Sequence, residues 1–356
     1  MKRNILMINI NDIIITPEML KKIAEIDVFK ASWAEYGIKL KPEQLKSMKR
    51  IATIESVGSS NRIEGNKLTD TQVEALFSHI KKKSFTTRDE QEVAGYADLL
   101  NTIFDNFNEI PLSENYIKQL HKTLLHYSDK DERHRGNYKT DSNRVAAFDA
   151  SGKEIGTIFE TATPFDTPRL MKELVEWTND NLQDGYLHPI IIIGLFVVHF
   201  LSIHPFTDGN GRLSRTLTLL LMLKKGYTYM PYSSMEQVIE ASKEGYYRAL
   251  RGTQKTIWKD KVDYEPWLTF FITALQKQKE YLEDKIKEFK NKPIRLNSTA
   301  KSILSLFDKK QDWSTTEISK ELRINMETVK KQVQSLVKQK ILIKNGSTKS
   351  AYYTLR

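Results

Sequence analysis

Between His204 and Arg215 the chain reads His-Pro-Phe-Thr-Asp-Gly-Asn-Gly-Arg-Leu-Ser-Arg, a proton acceptor, a carboxylate, a glycine-rich turn and two arginines within twelve residues. His204 is of the type that titrates near neutrality and can take a proton from an attacking hydroxyl. Asp208 offers the oxygen ligand that Mg²⁺ prefers where it also bridges phosphate groups. Gly209 and Gly211 let the backbone turn tightly and approach a ligand closely, and a loop that feeds a helix N-terminus presents free N–H groups to phosphate oxygens. Arg212 and Arg215 stand three apart, so on the new helix they share a face and can converge on one polyphosphate.

The flanking sequence positions this loop. The apolar run Ile190 to Leu201 precedes it, and Thr216 to Leu223, closed by Lys224, Lys225 and Gly226, follows. Two buried helices joined by a short polar loop are the expected local fold.

The stretch from His204 to Arg215 matches the HPFx[D/E]GNGRxxR signature of the Fic family, which this chain therefore resembles. The resemblance implies a mainly α catalytic domain, a helical bundle with a β-hairpin flap, that transfers AMP from ATP to a protein hydroxyl and releases pyrophosphate. It makes His204 the general base and Asp208 the Mg²⁺ ligand. Asn210, with the backbone of Gly209 and Gly211, becomes the phosphate cradle, and Arg212 and Arg215 hold the β- and γ-phosphates. Leu213 and Ser214, between the arginines, fall within the same nucleotide-binding stretch. Family members that phosphorylate carry lysine in place of the second motif glycine, so Gly211 favours AMP transfer.

Upstream, Ser60-Asn61-Arg62-Ile63-Glu64-Gly65 resembles the inhibitory [S/T]xxxE[G/N] motif of the same family. There a helix glutamate pairs with the second motif arginine, which here means Glu64 with Arg215. A carboxylate on that fork occupies the place of the γ-phosphate and repels it. Ser60, Glu64 and Gly65 are the residues this reading assigns to inhibition, with the inhibitory helix on the N-terminal side of the catalytic loop. The same glutamate leaves AMP removal, by orienting a water, as an alternative activity.

Two other segments fit the family by position. Arg144 to Phe148 and Glu154 to Phe159, separated by Asp149-Ala150-Ser151-Gly152, predict a β-hairpin in an otherwise helical chain. A flap here covers the nucleotide in the family and can take an extended target segment by strand addition, which places Ile158, Phe159, Glu160 and Thr161 on the nucleotide side. Downstream, Tyr246, Tyr247 and Gln254 resemble the family's contacts to adenosine.

Composition fits this picture. The chain has 356 residues, 40% hydrophobic content and no cysteine, which excludes disulfides and thiolate chemistry. The apolar stretch after Met1-Lys2-Arg3-Asn4 is broken by Asn9, Asn11 and Asp12, and the run near Ile190 is shorter than a membrane span. A soluble cytoplasmic protein with no membrane partner is expected. The net charge of +10 is concentrated at one end: from Asn291 to Arg356 fourteen Lys or Arg face five Asp or Glu, a surplus of nine. That tail reads as a helix from Ser298 to Phe307, then a pair of helices, the first from Ile318 to Leu322 behind a capping box at Ser314 and Glu317, the second running through Val337 after a turn at Arg323 to Asn325, and a hairpin about Asn345-Gly346. The order resembles a winged helix-turn-helix.

Three regions follow: 1–105, helical and carrying the Glu64 helix; 106–290, catalytic; and 291–356, the winged helix, joined through a linker from Lys290 to Ser298 that contains Pro293. Lys330 and Lys331 on the second helix and Lys344 and Lys349 on the wing suit contact with DNA phosphates. A docking or homodimerisation module is the other reading of the tail, and a nucleotide-sensing DNA-binding regulator is the other reading of the whole.

Overall fold

The computed structural model describes residues 8–77, 85–148, 154–291, 297–338, 341–346 and 351–356. Expectations for Met1 to Asn4, the Asp149 to Gly152 turn, Pro293 and Lys349 lie outside these residues. The chain is mainly helical. It opens with α1 (Pro17–Lys39), α2 (Pro42–Ile63), α3 (Asp70–Phe77), α4 (Arg88–Asn106) and α5 (Glu114–Leu124). A hairpin of β1 (Arg144–Phe148) and β2 (Glu154–Glu160) interrupts the helices, and α6 (Thr167–Asp184), α7 (Pro189–Ile203), α8 (Asn210–Lys224), α9 (Met235–Ala241), α10 (Lys243–Gln254) and α11 (Glu265–Asn291) follow.

Helix α7 is the centre of the molecule because its sequence is apolar all round, and such a helix must be enclosed. Every residue from Ile190 to Ile203 is buried. Pro189 starts it at a position where a missing N–H costs nothing, and the His188 imidazole accepts from the Ile190 N–H at 3.3 Å. On one side α11 comes close: the Trp267 indole N–H donates to the Gly194 carbonyl at 2.7 Å, and a Cβ on Gly194 would lie 2.9 Å from Leu268 Cδ2. Helices α6 and α8 also pack on α7. No helix among the described residues is long and apolar enough to cross a membrane.

One hydrophobic cluster runs from Ile8 to Ile286, so the helices of the N-terminal third share an interior with those that carry the His204 loop. The strands β1 and β2 pair antiparallel, Arg144 opposite Glu160 and Phe148 opposite Glu154, with irregular register after Val145 and after Ala147.

Residues from Ala300 to Tyr353 form a second cluster. Its elements are α12 (Ser298–Leu306), β3 (Asp312–Ser314), α13 (Thr315–Leu322), α14 (Met326–Lys338), β4 (Leu342–Asn345) and β5 (Tyr352–Leu355). Ser314 and Glu317 make the reciprocal capping box at the start of α13, and Arg323, at φ 53°, turns the chain into α14. The strands lie in the order β3-β5-β4, all antiparallel. The short β3 has no periodic signal in the sequence. Trp313 anchors it, its indole N–H reaching the Leu306 and Lys310 carbonyls at 3.0 Å each.

Candidate active site

His204 terminates α7 in the left-handed region, φ 52° and ψ 60°, its N–H still donating to the Phe200 carbonyl at 2.9 Å. A non-glycine residue held there is strained, and such strain collects at functional sites. Pro205 then bars any continuation of the helix. The loop closes on itself through Asn210, whose amide oxygen accepts from the Phe206 N–H at 3.0 Å and whose amide nitrogen donates to the Phe206 carbonyl at 2.7 Å. Asn210, 2% exposed, is therefore engaged inside the loop and shapes its turn. Gly209 sits at φ 79° as the N-cap of α8. A Cβ there would be 3.0 Å from Leu124 Cδ2. The first N–H groups of α8 have no intrahelical acceptor and face the loop.

Buried polar groups behind the loop fix its shape. His121 accepts the Gly136 N–H on Nδ1 at 2.8 Å, so its Nε2 carries the proton and donates to the Asp208 carbonyl at 3.0 Å. Its ring stacks on Phe206 at 3.8 Å. Burial pushes its pKa down to about 4, which keeps it neutral. Lys139, 4% exposed, donates through Nζ to Asn143 Oδ1 at 2.7 Å, Thr161 Oγ1 at 2.9 Å and the Ile203 carbonyl at 3.0 Å. Asn143 Nδ2 in turn donates to the carbonyls of Phe206 at 3.0 Å and His204 at 3.4 Å. None of His121, Lys139 or Asn143 stands out in the sequence, because each works through backbone carbonyls and through residues distant in the chain.

Half-buried His204 has its pKa pushed down to about 4, first by burial and then by the Lys139 charge. Its Nδ1 lies 3.3 Å from the Leu201 carbonyl, a contact that places the ring proton on Nδ1 and leaves Nε2 as the free acceptor. The imidazole is thus neutral across the physiological range. In an NMR titration of labelled protein, the His204 ring signals, assigned by their loss in His204→Asn, should stay those of a neutral imidazole from pH ~8 down to ~5.5; a midpoint near the ordinary ~6.5 would contradict the burial argument.

Asp208 is one-third exposed. Its Oδ1 accepts from the Gly209 N–H at 2.7 Å, and its Oδ2 accepts from Arg212 Nη2 at 3.4 Å. Burial acts to raise its pKa, but Arg212, the Gly209 N–H and Arg88 outweigh it and hold the carboxyl below its usual value. Arg212 is 2% exposed, and its Nε and Nη1 make no hydrogen bond among the described residues. Leu213 is core, and the Ser214 hydroxyl is turned back on the Gly211 carbonyl at 2.8 Å.

Arg215 is buried and held from three directions. Its Nε donates to Ser60 Oγ at 2.9 Å, its Nη2 to the Ser60 carbonyl at 2.9 Å and to Glu64 Oε1 at 2.8 Å, while Nη1 makes no hydrogen bond among the described residues. Burial disfavours its charge, but Glu64 and Tyr246 raise its pKa above the ordinary arginine value. Glu64 stands at the C-cap of α2 and Gly65 takes φ 98° after it. The carboxylate reaches over Gly211, where a Cβ would lie 2.2 Å from Glu64 Oε1. Ser60 and Glu64, 155 and 151 residues before Arg215 in the chain, thus meet it in one place, as the two motifs led us to expect.

Tyr246 is buried beside Ser214 and Arg215, and burial raises its pKa to about 12. Tyr247 reaches the Ile63 carbonyl at 3.5 Å, just before Glu64. Gln254 is buried at the end of α10. In the hairpin, Ile158 lies in β2, Phe159 is packed into the core and Glu160 is exposed. Thr161 donates its hydroxyl to Asn143 Oδ1 at 2.6 Å or to the Asn143 carbonyl at 2.7 Å, and so belongs to the network behind the loop.

Residues 111–222, from the start of α5 to the end of α8, match the model of the Fic/DOC family. The chain carries a Fic-family domain. Over 110 residues the chain is 32% identical to a probable protein adenylyltransferase of Aquifex aeolicus, 31% of this chain and 33% of that protein. It is 26% identical over 211 residues to the protein adenylyltransferase Fic of Drosophila willistoni, 58% of this chain and 39% of that one. The chain thus spans well under half the length of these relatives. Among solved structures, a Fic family protein from Desulfovibrio desulfuricans superposes with a TM-score of 0.64 at 21% identity, covering 97% of this chain and 98% of that one. A Fic domain containing signaling protein from Bacteroides thetaiotaomicron gives 0.59 at 26% identity, covering 77% and 99%. The first of these likenesses, which extends over nearly all of this chain, is one of fold.

Proposed function

We propose that this chain is a protein adenylyltransferase that transfers AMP from ATP to a Ser, Thr or Tyr hydroxyl of a protein, itself included, and that Glu64 holds it off by occupying Arg215. The observation that carries the proposal is the 2.8 Å contact between Glu64 and the buried Arg215, made across the loop that presents His204 and Asp208. Relatives named protein adenylyltransferases support the same reaction.

In the reaction the target hydroxyl gives its proton to His204 Nε2 as its oxygen forms a bond to the α-phosphorus. The bond from that phosphorus to the bridging oxygen breaks, and pyrophosphate departs with the electron pair. Arg212 and Arg215 balance the charge that builds on the leaving group, and the N-terminal N–H groups of α8 favour phosphate oxygens. The residues fit Mg²⁺: Asp208 is an accessible carboxylate kept ionised at the loop, and one protein carboxylate plus substrate phosphates is the usual way this ion is held. When bound, the ion would neutralise phosphate charge.

Incubating lysate proteins with Glu64→Gly protein and ATP, followed by mass spectrometry, tests the proposal by reporting modification mass, target and side chain together. Adenylylated peptides are expected, and their absence would overturn it. AMP removal is a second reading because the Glu64 charge is felt by both Arg215 and His204, which puts it where it can orient a water. Loss of AMP from a pre-modified target on incubation with the wild-type protein and Mg²⁺ would favour it.

For the C-terminal region we propose a winged helix that binds duplex DNA non-specifically, supported by the exposed Lys330, Lys331 and Lys344 and the surplus of positive charge. Binding should weaken steeply as salt rises from ~50 to ~200 mM in a fluorescence anisotropy titration. No binding at the low-salt end would leave docking or homodimerisation as its role.

A further inference from the structure

Helix α4 precedes the residues matched to the family, yet two of its side chains close a ring of alternating charge at the exposed side of the phosphate loop. Arg88 Nε donates to Glu92 Oε1 at 2.8 Å. The other Glu92 oxygen is 3.7 Å from Arg212 Nη1. Arg212 Nη2 reaches Asp208 Oδ2 at 3.4 Å, and Arg88 Nη2 lies 3.7 Å from that same oxygen, which completes the circuit. Exposure rises around the ring, from 2% at the Arg212 side chain through 10% at Glu92 and 35% at Asp208 to 56% at Arg88.

A lone Arg and Glu four apart on a helix surface would contribute only a few tenths of a kcal/mol and imply nothing further. This pair differs because its glutamate is shared with a buried arginine. Asn66 Nδ2, two residues beyond Glu64, also donates to Glu92 Oε2 at 3.4 Å and to the Asp89 carbonyl at 3.0 Å, which fixes the start of α4 beside the loop. Glu92 therefore presents the Arg88 guanidinium to Asp208 while leaving it half open to solvent. At Arg212, which is 2% exposed, Nε and Nη1 make no hydrogen bond among the described residues, and Nη1 has only the 3.7 Å ion pair with Glu92.

We propose that Arg88 is a third phosphate-binding cation of this site, placed by Glu92 to take the polyphosphate of a nucleotide together with Arg212. The inference rests on the ATP-binding reading above. A guanidinium against the carboxylate that would hold a metal is within reach of the phosphate oxygens gathered there, and a planar fork suits them better than an ammonium.

Calorimetry on the full-length Glu64→Gly protein, with ATP, pyrophosphate and AMP as separate probes, tests this. Adding Arg88→Gln should weaken ATP and pyrophosphate binding by about tenfold or more, the loss of one charge-assisted contact, and leave AMP binding unchanged. Arg88→Lys, which keeps the charge and loses the fork, should fall between the two. Arg88 is exposed enough that neither change threatens folding, and a thermal melt of each variant checks this. Polyphosphate affinities within about twofold of the Glu64→Gly parent, or an equal loss for AMP, would overturn the assignment of Arg88 alone. A parent that binds none of the three probes would instead overturn the ATP-binding reading on which it rests.

Discussion

Replacing Glu64 by glycine should raise AMP transfer to protein by about 10- to 100-fold and at the same time make the protein less stable. The rate gain follows from the 2.8 Å contact with Arg215. A charge-assisted hydrogen bond of this kind contributes ~1.5–3 kcal/mol net, which a γ-phosphate must otherwise displace before it can use the same fork. Two of the three bonds that orient Arg215 come from Ser60 and survive the substitution, so the fork stays in place for the phosphate. The stability loss follows from the burial of Arg215, 6% exposed, since removing its only anionic partner among the described residues leaves a charged donor incompletely paired at a cost of ~1–3 kcal/mol. Initial rates of α-labelled ATP incorporation and a thermal melt on the same preparation check the pair of effects. An inhibitory contact gives opposite signs. A merely structural ion pair would lower both rate and stability.

His204→Ala, introduced into the Glu64→Gly protein, should reduce AMP transfer by about 10²- to 10⁴-fold while ATP binding persists. Among the described residues the imidazole makes only its weak Nδ1 contact with Leu201, and the turn is closed by Asn210, His121 and the Lys139 network. Its loss should therefore appear in the chemical step. Alanine at φ 52° carries a backbone cost of ~1–2 kcal/mol, so His204→Asn, which tolerates that conformation better, is the cleaner variant and should be as inactive. Transfer persisting in either variant within about tenfold of the parent would remove His204 from the role of base.

How much of this was legible in the sequence differs by kind of residue. The loop from His204 to Arg215 could be read because all its working parts are consecutive and flanked by apolar runs that admit little but buried helices. The Glu64 contact could be read only through likeness to a family, since no periodicity relates α2 to α8. Asn210, expected to line a phosphate cradle with the backbone of Gly209 and Gly211, has its amide turned to the Phe206 main chain, a contact within the loop that the sequence did not suggest. Thr161, grouped with the nucleotide side of the flap, contributes to the support behind the loop. His121, Lys139 and Asn143 were invisible because their partners are main-chain carbonyls, which every residue has. Nothing in the sequence singles out Arg88 and Glu92, four apart at the start of α4, and only packing reveals that Glu92 also meets Arg212.

If Glu64 alone holds off an otherwise complete adenylyl-transfer site, its removal should let the protein label itself. The most direct test is the intact mass of wild-type and Glu64→Gly protein after incubation with ATP and Mg²⁺, with Glu64→Gly/His204→Ala as the blank. An added adenylyl mass is expected on Glu64→Gly, little or none on wild type and none on the blank. Equal modification of wild type and Glu64→Gly would contradict inhibition by Glu64, and an unmodified Glu64→Gly protein that remains folded and binds ATP, with no target labelled in a lysate, would contradict AMP transfer itself.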